Sequence, residues 1–147
     1  MSNPDVAKAL RPRQPKNKDT QFFWDGIAEG KLLIQRCSDC GKLRHPPAPV
    51  CSSCHSFSWD TVESSGRASI VSHVKMHHPA LPAFDNPNPI ALVQLEEGTR
   101  LVASMQGFEL SAIKIGLPVQ VDIVRFDEEL SLPVVKPRSE ITVAKQQ

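Results

Sequence analysis

The chain has 147 residues, with 17 Lys+Arg against 16 Asp+Glu and a formal net charge of +1. That balance alone neither points to a polyanionic partner nor excludes one, but no apolar run approaches the length of a membrane span. Thirteen prolines and seven glycines exclude an architecture of long helices and favour short elements joined by many turns.

Residues 1–30 read as an arm followed by a helix. Residues 1–18 hold Pro4, Pro12, Pro15 and five basic side chains with few large apolar groups, so they are expected to form an extended arm, ordered against a partner. The first eight residues are polar and lack the apolar core of a secretory signal, which sets the expectation of a cytoplasmic protein. Asp19-Thr20 offers an N-cap for a short helix over 20–29, and Gly30 offers its C-terminal stop. Phe23 and Ile27 share one face of that helix, while Phe22 and Trp24 point elsewhere. Aromatics on more than one face imply packing on two sides, against the rest of the chain or against a partner.

Residues 31–63 read as a metal ribbon. Cys37-Ser-Asp-Cys40 and Cys51-Ser-Ser-Cys54 are separated by ten residues, and the chain has no other cysteine. Each C-x-x-C lets two thiolates converge from one tight turn, and two facing turns supply the tetrahedral sulfur set of a closed structural zinc site. Disulfides or plain buried thiols are the alternatives. The expected cytosolic setting disfavours the disulfides, and a redox motif would need only a single reactive pair. Four sulfurs leave zinc no open position, so Cys37, Cys40, Cys51 and Cys54 are expected to hold a Zn2+ that is structural. Residues 31–36, 43–45 and 57–62 supply the ribbon strands, with Pro46-Pro47-Ala48-Pro49 as a stiff connector.

Residues 64–147 change to a period of two. Strands are expected from 68 to 75, 90 to 95, 100 to 106, 119 to 126 and 130 to 135, with Glu96-Glu97-Gly98-Thr99 as a hairpin turn. Short strands with turn signals and little helix predict a small antiparallel barrel of the five-stranded OB type. Residues 77–89 carry four prolines, Phe84 and no period, and read as a long functional loop. The overall expectation is a mainly β protein: a short N-terminal helix, a rubredoxin-like zinc ribbon, then a five-stranded OB barrel with a C-terminal tail.

This combination resembles a bacterial and archaeal zinc-ribbon/OB-fold family long filed as a domain of unknown function. The resemblance runs from about Phe22 to Phe126. It is carried by Phe23-Trp24, Gly30-Lys31-Leu32, both cysteine pairs, Pro46-Pro47, the Trp59 strand and Ser65-Gly66-Arg67-Ala68, and by the segments 89–98 and 115–119. Members look like small partners of thiolase-fold acyl-CoA enzymes, including thiolases, acyltransferases and aldolases, and related domains are fused to, or paired with, hot-dog-fold enoyl-CoA hydratases of steroid side-chain degradation. The resemblance therefore implies a non-catalytic accessory subunit in a hetero-oligomer, one that helps form or gate a partner's acyl-CoA site and binds the CoA thioester jointly with it. One departure is plain: members often carry Tyr after the proline that opens the middle strand, and here it is Ile90, in a chain without tyrosine.

The residues themselves offer little catalytic machinery. No serine or cysteine sits in a nucleophile motif, and no glycine loop cradles phosphate. His45 and His55 flank the knuckles and read as structural or solvated. His77-His78 is the best polar candidate, although neighbours on an extended chain point opposite ways. Phe22, Trp24, His77, His78 and Phe84 are the candidate partner-interface residues. The rival reading is a single-stranded nucleic-acid binder, since ribbons and OB barrels both serve that role. Against it, residues 60–147 hold eight basic and eleven acidic side chains, and their turns carry Glu96-Glu97 and Asp127-Glu128-Glu129, which would repel phosphates.

Overall fold

A computed structural model describes residues 10–138. One helix, α1 (Gln21–Ala28), precedes a ribbon of β1 (Leu33–Cys37), β2 (Leu43–Arg44) and β3 (Trp59–Glu63). Five strands follow: β4 (Arg67–Met76), β5 (Asn88–Leu95), β6 (Arg100–Met105), β7 (Pro118–Arg125) and β8 (Ser131–Pro137). The ribbon sheet has the order β2-β1-β3, and the other strands close a barrel in the order β4-β5-β6-β8-β7. That order is the one an OB barrel takes.

The barrel departs from a purely antiparallel closure. β6 and β8 run parallel, paired through Ser104–Val134 and Met105–Val135. A parallel pair cannot be joined by a hairpin. The chain between them passes through a 3-10 turn at Leu110–Ala112 and then lays down β7. Alternation locates strands but carries no information on their direction, so the sequence could not show this.

The helix ends differ in their legibility. Gly30 takes φ 82°, its N–H reaches Ile27 O at 3.0 Å, and the Lys31 N–H reaches Gly26 O at 2.8 Å. These two bonds form a Schellman stop that a non-glycine residue would strain. At the other end, Thr20 makes no side-chain cap bond. Asn17 Oδ1 instead accepts from the backbone of Asp19 and Thr20, each at 3.0 Å, and organises the turn that enters α1.

Phe23 and Ile27 of α1, with Leu32 and Ile34 of the ribbon, belong to the same buried cluster as Ile70, Val93, Leu101, Val119 and Val135 of the barrel. Ribbon, helix and barrel thus share one continuous core. A ribbon this small has too little apolar area of its own, and packing on the barrel supplements what metal provides.

Residues 10–18 correct the expectation of an arm ordered only by a partner. The Arg11 guanidinium lies 4.0 Å from the Phe126 ring centroid and 4.7 Å from that of Phe84. Arg13 donates to Asp127 at 2.7 Å. The arm is held by the chain's own barrel; residues 1–9 lie outside the described part.

Candidate metal centre and docking surfaces

The two knuckles are built alike. Gly41 N–H donates to Cys37 O and His55 N–H donates to Cys51 O, both at 2.9 Å. Cys37 N–H reaches Lys42 O and Cys51 N–H reaches Ser56 O, again both at 2.9 Å. Each turn closes with a left-handed residue, Gly41 at φ 80° and His55 at φ 62°. His55 therefore occupies the place of the first knuckle's glycine, a backbone role for which a histidine carries no local signal. Lys42 Nζ ties the knuckles together, donating to Ser52 and Ser53 at 2.9 and 3.0 Å. Ser56 also donates to Asp39 across the gap.

All four Sγ atoms lie within 4.8 Å of one another. Cys37 and Cys54 approach to 3.5 Å, Cys40 and Cys51 to 3.6 Å. Zinc at about 2.3 Å from each sulfur of a tetrahedron sets sulfurs about 3.8 Å apart, so the cluster has the size a zinc ion needs. Local electrostatics agree with that fit. Backbone N–H groups of Cys54 and Ser53 point at Cys51 and pull its thiol down to about 6. The Cys40 amide lowers Cys37 in the same way. Cys54 receives the Ser56 amide, yet hydrogen bonding with Cys37 and the other sulfurs pushes its thiol up to about 12. Sulfurs this crowded do not all ionise without a cation among them. Cys37 and Cys51 are buried while Cys40 and Cys54 are exposed, so each knuckle turns one sulfur inward and one toward solvent.

Gln35 is a residue that sequence reading missed. Buried in β1, its Oε1 accepts from Arg44 Nε and from Ala48 N–H, both at 2.9 Å. Arg44 in turn donates to Ala48 O at 2.9 Å. This polar node holds the proline connector between the knuckles. His45 rests against Phe23, ring centroids 5.2 Å apart.

The candidate interface residues divide into two groups. Phe22 packs on Trp59, ring centroids 4.7 Å apart, and Trp24 stands edge-on to Phe23 at 4.9 Å. Both are half-buried, and Trp24 lines a cleft of about 260 Å³ with Gln14, Lys16 and Arg125. Phe84 is half-buried beneath Arg11. His77 and His78 are exposed at the start of the long loop. The arm at 10–18 lines the Trp24 cleft through Gln14 and Lys16 and covers Phe84 through Arg11, so Trp24 and Phe84 lie along one strap.

A ribbon with four convergent thiols followed by a closed five-stranded barrel defines a zinc-ribbon/OB-fold protein. Family profiles match accordingly: the ChsH2 rubredoxin-like zinc ribbon domain over residues 24–60 and the ChsH2 C-terminal OB-fold domain over residues 61–131. The chain belongs to this family, also known as DUF35. It is 48% identical over 130 residues to a probable enoyl-CoA hydratase alpha subunit of Thermomonospora curvata, covering 88% of this chain and 41% of that protein. The 3-oxo-4,17-pregnadiene-20-carboxyl-CoA hydratase alpha subunit of Mycobacterium tuberculosis is 40% identical over 116 residues, 79% of this chain and 37% of that protein. The chain thus spans about two fifths of those hydratase subunits. A DUF35 domain-containing scaffold protein of Pyrococcus furiosus is 31% identical over 111 residues, 73% of this chain and 82% of that protein. Among solved structures, a chain of an Ltp2-ChsH2(DUF35) aldolase superposes with TM-score 0.82 at 46% identity, covering 85% of this chain and 98% of that one. No described helix is long and apolar enough to cross a membrane.

Proposed function

We propose that this protein is a non-catalytic accessory subunit of a thiolase-fold acyl-CoA enzyme, and that it helps form or gate that enzyme's acyl-CoA site. Cys37, Cys40, Cys51 and Cys54 hold a structural zinc that fixes the ribbon beneath the docking surface. The observation that carries the reading is the match to a chain of the Ltp2-ChsH2(DUF35) aldolase, which covers 98% of that chain. The chemistry of the chain supports it. The hydroxyls of Ser64 and Ser65 donate to Glu97 and Glu96 and the four thiols face one another, so none of these groups is paired with a histidine as an activated nucleophile requires. The CoA ester of a steroid side chain is the substrate class that the Mycobacterium tuberculosis relative's name suggests. Phe22, Trp24, His77, His78 and Phe84 contribute to the surface that meets the partner in a cytoplasmic complex.

The test is co-expression with a thiolase-fold acyl-CoA enzyme of the same organism, followed by size exclusion and thioester turnover with and without this chain. Co-elution and a rise in turnover are expected, with none from this chain alone. A partner that is fully active by itself and never co-elutes would sink the reading.

A further inference from the structure

The outer edge of β4 changes character halfway along its length. Its first half is covered by β7, through Arg67–Gln120, Ala68–Val119 and Ser69–Pro118, and Ile70 completes that side by exchanging bonds with Gly116 and Leu117. Beyond Ile70 β4 pairs only with β5 among the described residues.

The register shows which groups the second half leaves open. Up to Ile70, the even residues bond β7 and the odd ones bond β5, as Arg67 O does in accepting from Glu96 N–H. A bulge between Ile70 and Ser72 reverses this parity. Ser72, Val74 and Met76 then exchange bonds with β5, and His73 and Lys75 turn their N–H and C=O groups outward. Pro89 agrees independently: it stands opposite Lys75 and has no N–H to give, as a non-bonded pair permits.

The side chains at this edge are as open as the backbone. Val74 is 56% exposed, Met76 46% and Leu81 48%. Met76, Leu81, Phe84 and Ile90 line a mostly apolar cleft of about 270 Å³. Residues 72–78 carry Lys75, His73, His77 and His78 and no carboxylate. Along β4, Val74 and Met76 face one way and His73 and Lys75 the other.

We infer that the open edge of β4 at His73 and Lys75 takes up an extended strand of the partner enzyme, one that alternates apolar with acidic side chains. Strand addition satisfies the outward amides and carbonyls. The period of two then sets apolar side chains over Val74 and Met76 and carboxylates beside His73 and Lys75. The inference rests on the accessory-subunit reading and names the surface it uses.

The experiment compares Lys75→Pro with Lys75→Gln in the complex with the co-expressed enzyme. Proline at 75 removes the outward amide together with the charge, and glutamine removes the charge alone, so the difference between the two variants reads the amide. Melting curves and zinc content of the free variants verify folding. Lys75→Pro is expected to raise the Kd at least tenfold, and Lys75→Gln by less. Amide exchange on the folded wild-type chain gives a second reading, valid even if Lys75→Pro misfolds: the partner should slow exchange at His73 and Lys75 and leave Ser72 and Val74 as they were. A complex that forms with both outward amides unprotected overturns the edge assignment alone, as does protection of both amides in the free chain, which would mark an edge already occupied. If the wild-type chain forms no complex with the enzyme, the accessory reading falls and the inference falls with it.

Discussion

His45 and the four cysteines show how single side chains depend on the shared core. Burial against Phe23 holds His45 below its ordinary value of 6.5, so the folded chain takes up that proton less readily than the unfolded one. Stability from the neutral ring is complete above pH 6.5 and is lost as the pH falls through the lower folded value. His45→Phe, which keeps the ring contact and removes the titration, should flatten the fall in melting temperature between pH 7.5 and 5.5 relative to wild type. Both proteins share the thiolates, so the difference isolates His45. For the metal, structural zinc sites bind with about 10–16 kcal/mol, as much as the whole stability of a typical domain, about 5–15 kcal/mol. Cys40→Ser should therefore bring zinc content to near zero by elemental analysis and lose the ribbon's near-ultraviolet signal. Wild type treated with a strong chelator should follow it.

At the scale of elements, the join between ribbon and barrel is a clasp of two turns. Ser64 and Ser65 donate to Glu97 and Glu96, both at 2.6 Å, pinning the start of the barrel to the β5–β6 hairpin. Gly66 sits inside the clasp at φ +80°, and a Cβ there would run into the carbonyl oxygen of Val121. Gly98, at the hairpin tip, has φ +106° and nothing within 4 Å of an added Cβ. Alanine at 98 meets only backbone strain, about 1–2 kcal/mol. Alanine at 66 meets the same strain and a backbone carbonyl, so Gly66→Ala should cost at least about 3 kcal/mol. Urea unfolding of the two variants measures the difference, and equal costs would remove the close approach from the account.

For the whole molecule, the continuous core makes ribbon and barrel one cooperative unit. Phe23 stands at the junction, 4% exposed, packed with barrel and ribbon residues alike. Phe23→Ala should cost about 3–5 kcal/mol and lower the melting of both parts together, seen as one coincident transition by far- and near-ultraviolet circular dichroism. Two separated transitions would show two independent cores. The same continuity serves the proposed role, because a rigid ribbon and barrel present the strap and the β4 edge in fixed relation to a partner.

The cysteine spacing alone determined the metal ribbon, since only two facing C-x-x-C turns bring four thiols together, and the period-two segments determined five barrel strands close to their observed limits. Gly30 marked the helix end because few other residues tolerate its backbone angle. The rest depended on contacts distant in sequence. Strand direction between β6 and β8, the capture of Arg11 by Phe84 and Phe126, and the Gln35 node all join residues whose local sequence carries no sign of the other. His55 at the left-handed position of the second knuckle belongs here too: the fold imposes an angle that the residue does not favour. The open half of the β4 edge emerges only after closure, because a strand's pairing is legible in its own sequence, whereas the absence of a neighbour is a property of the whole barrel.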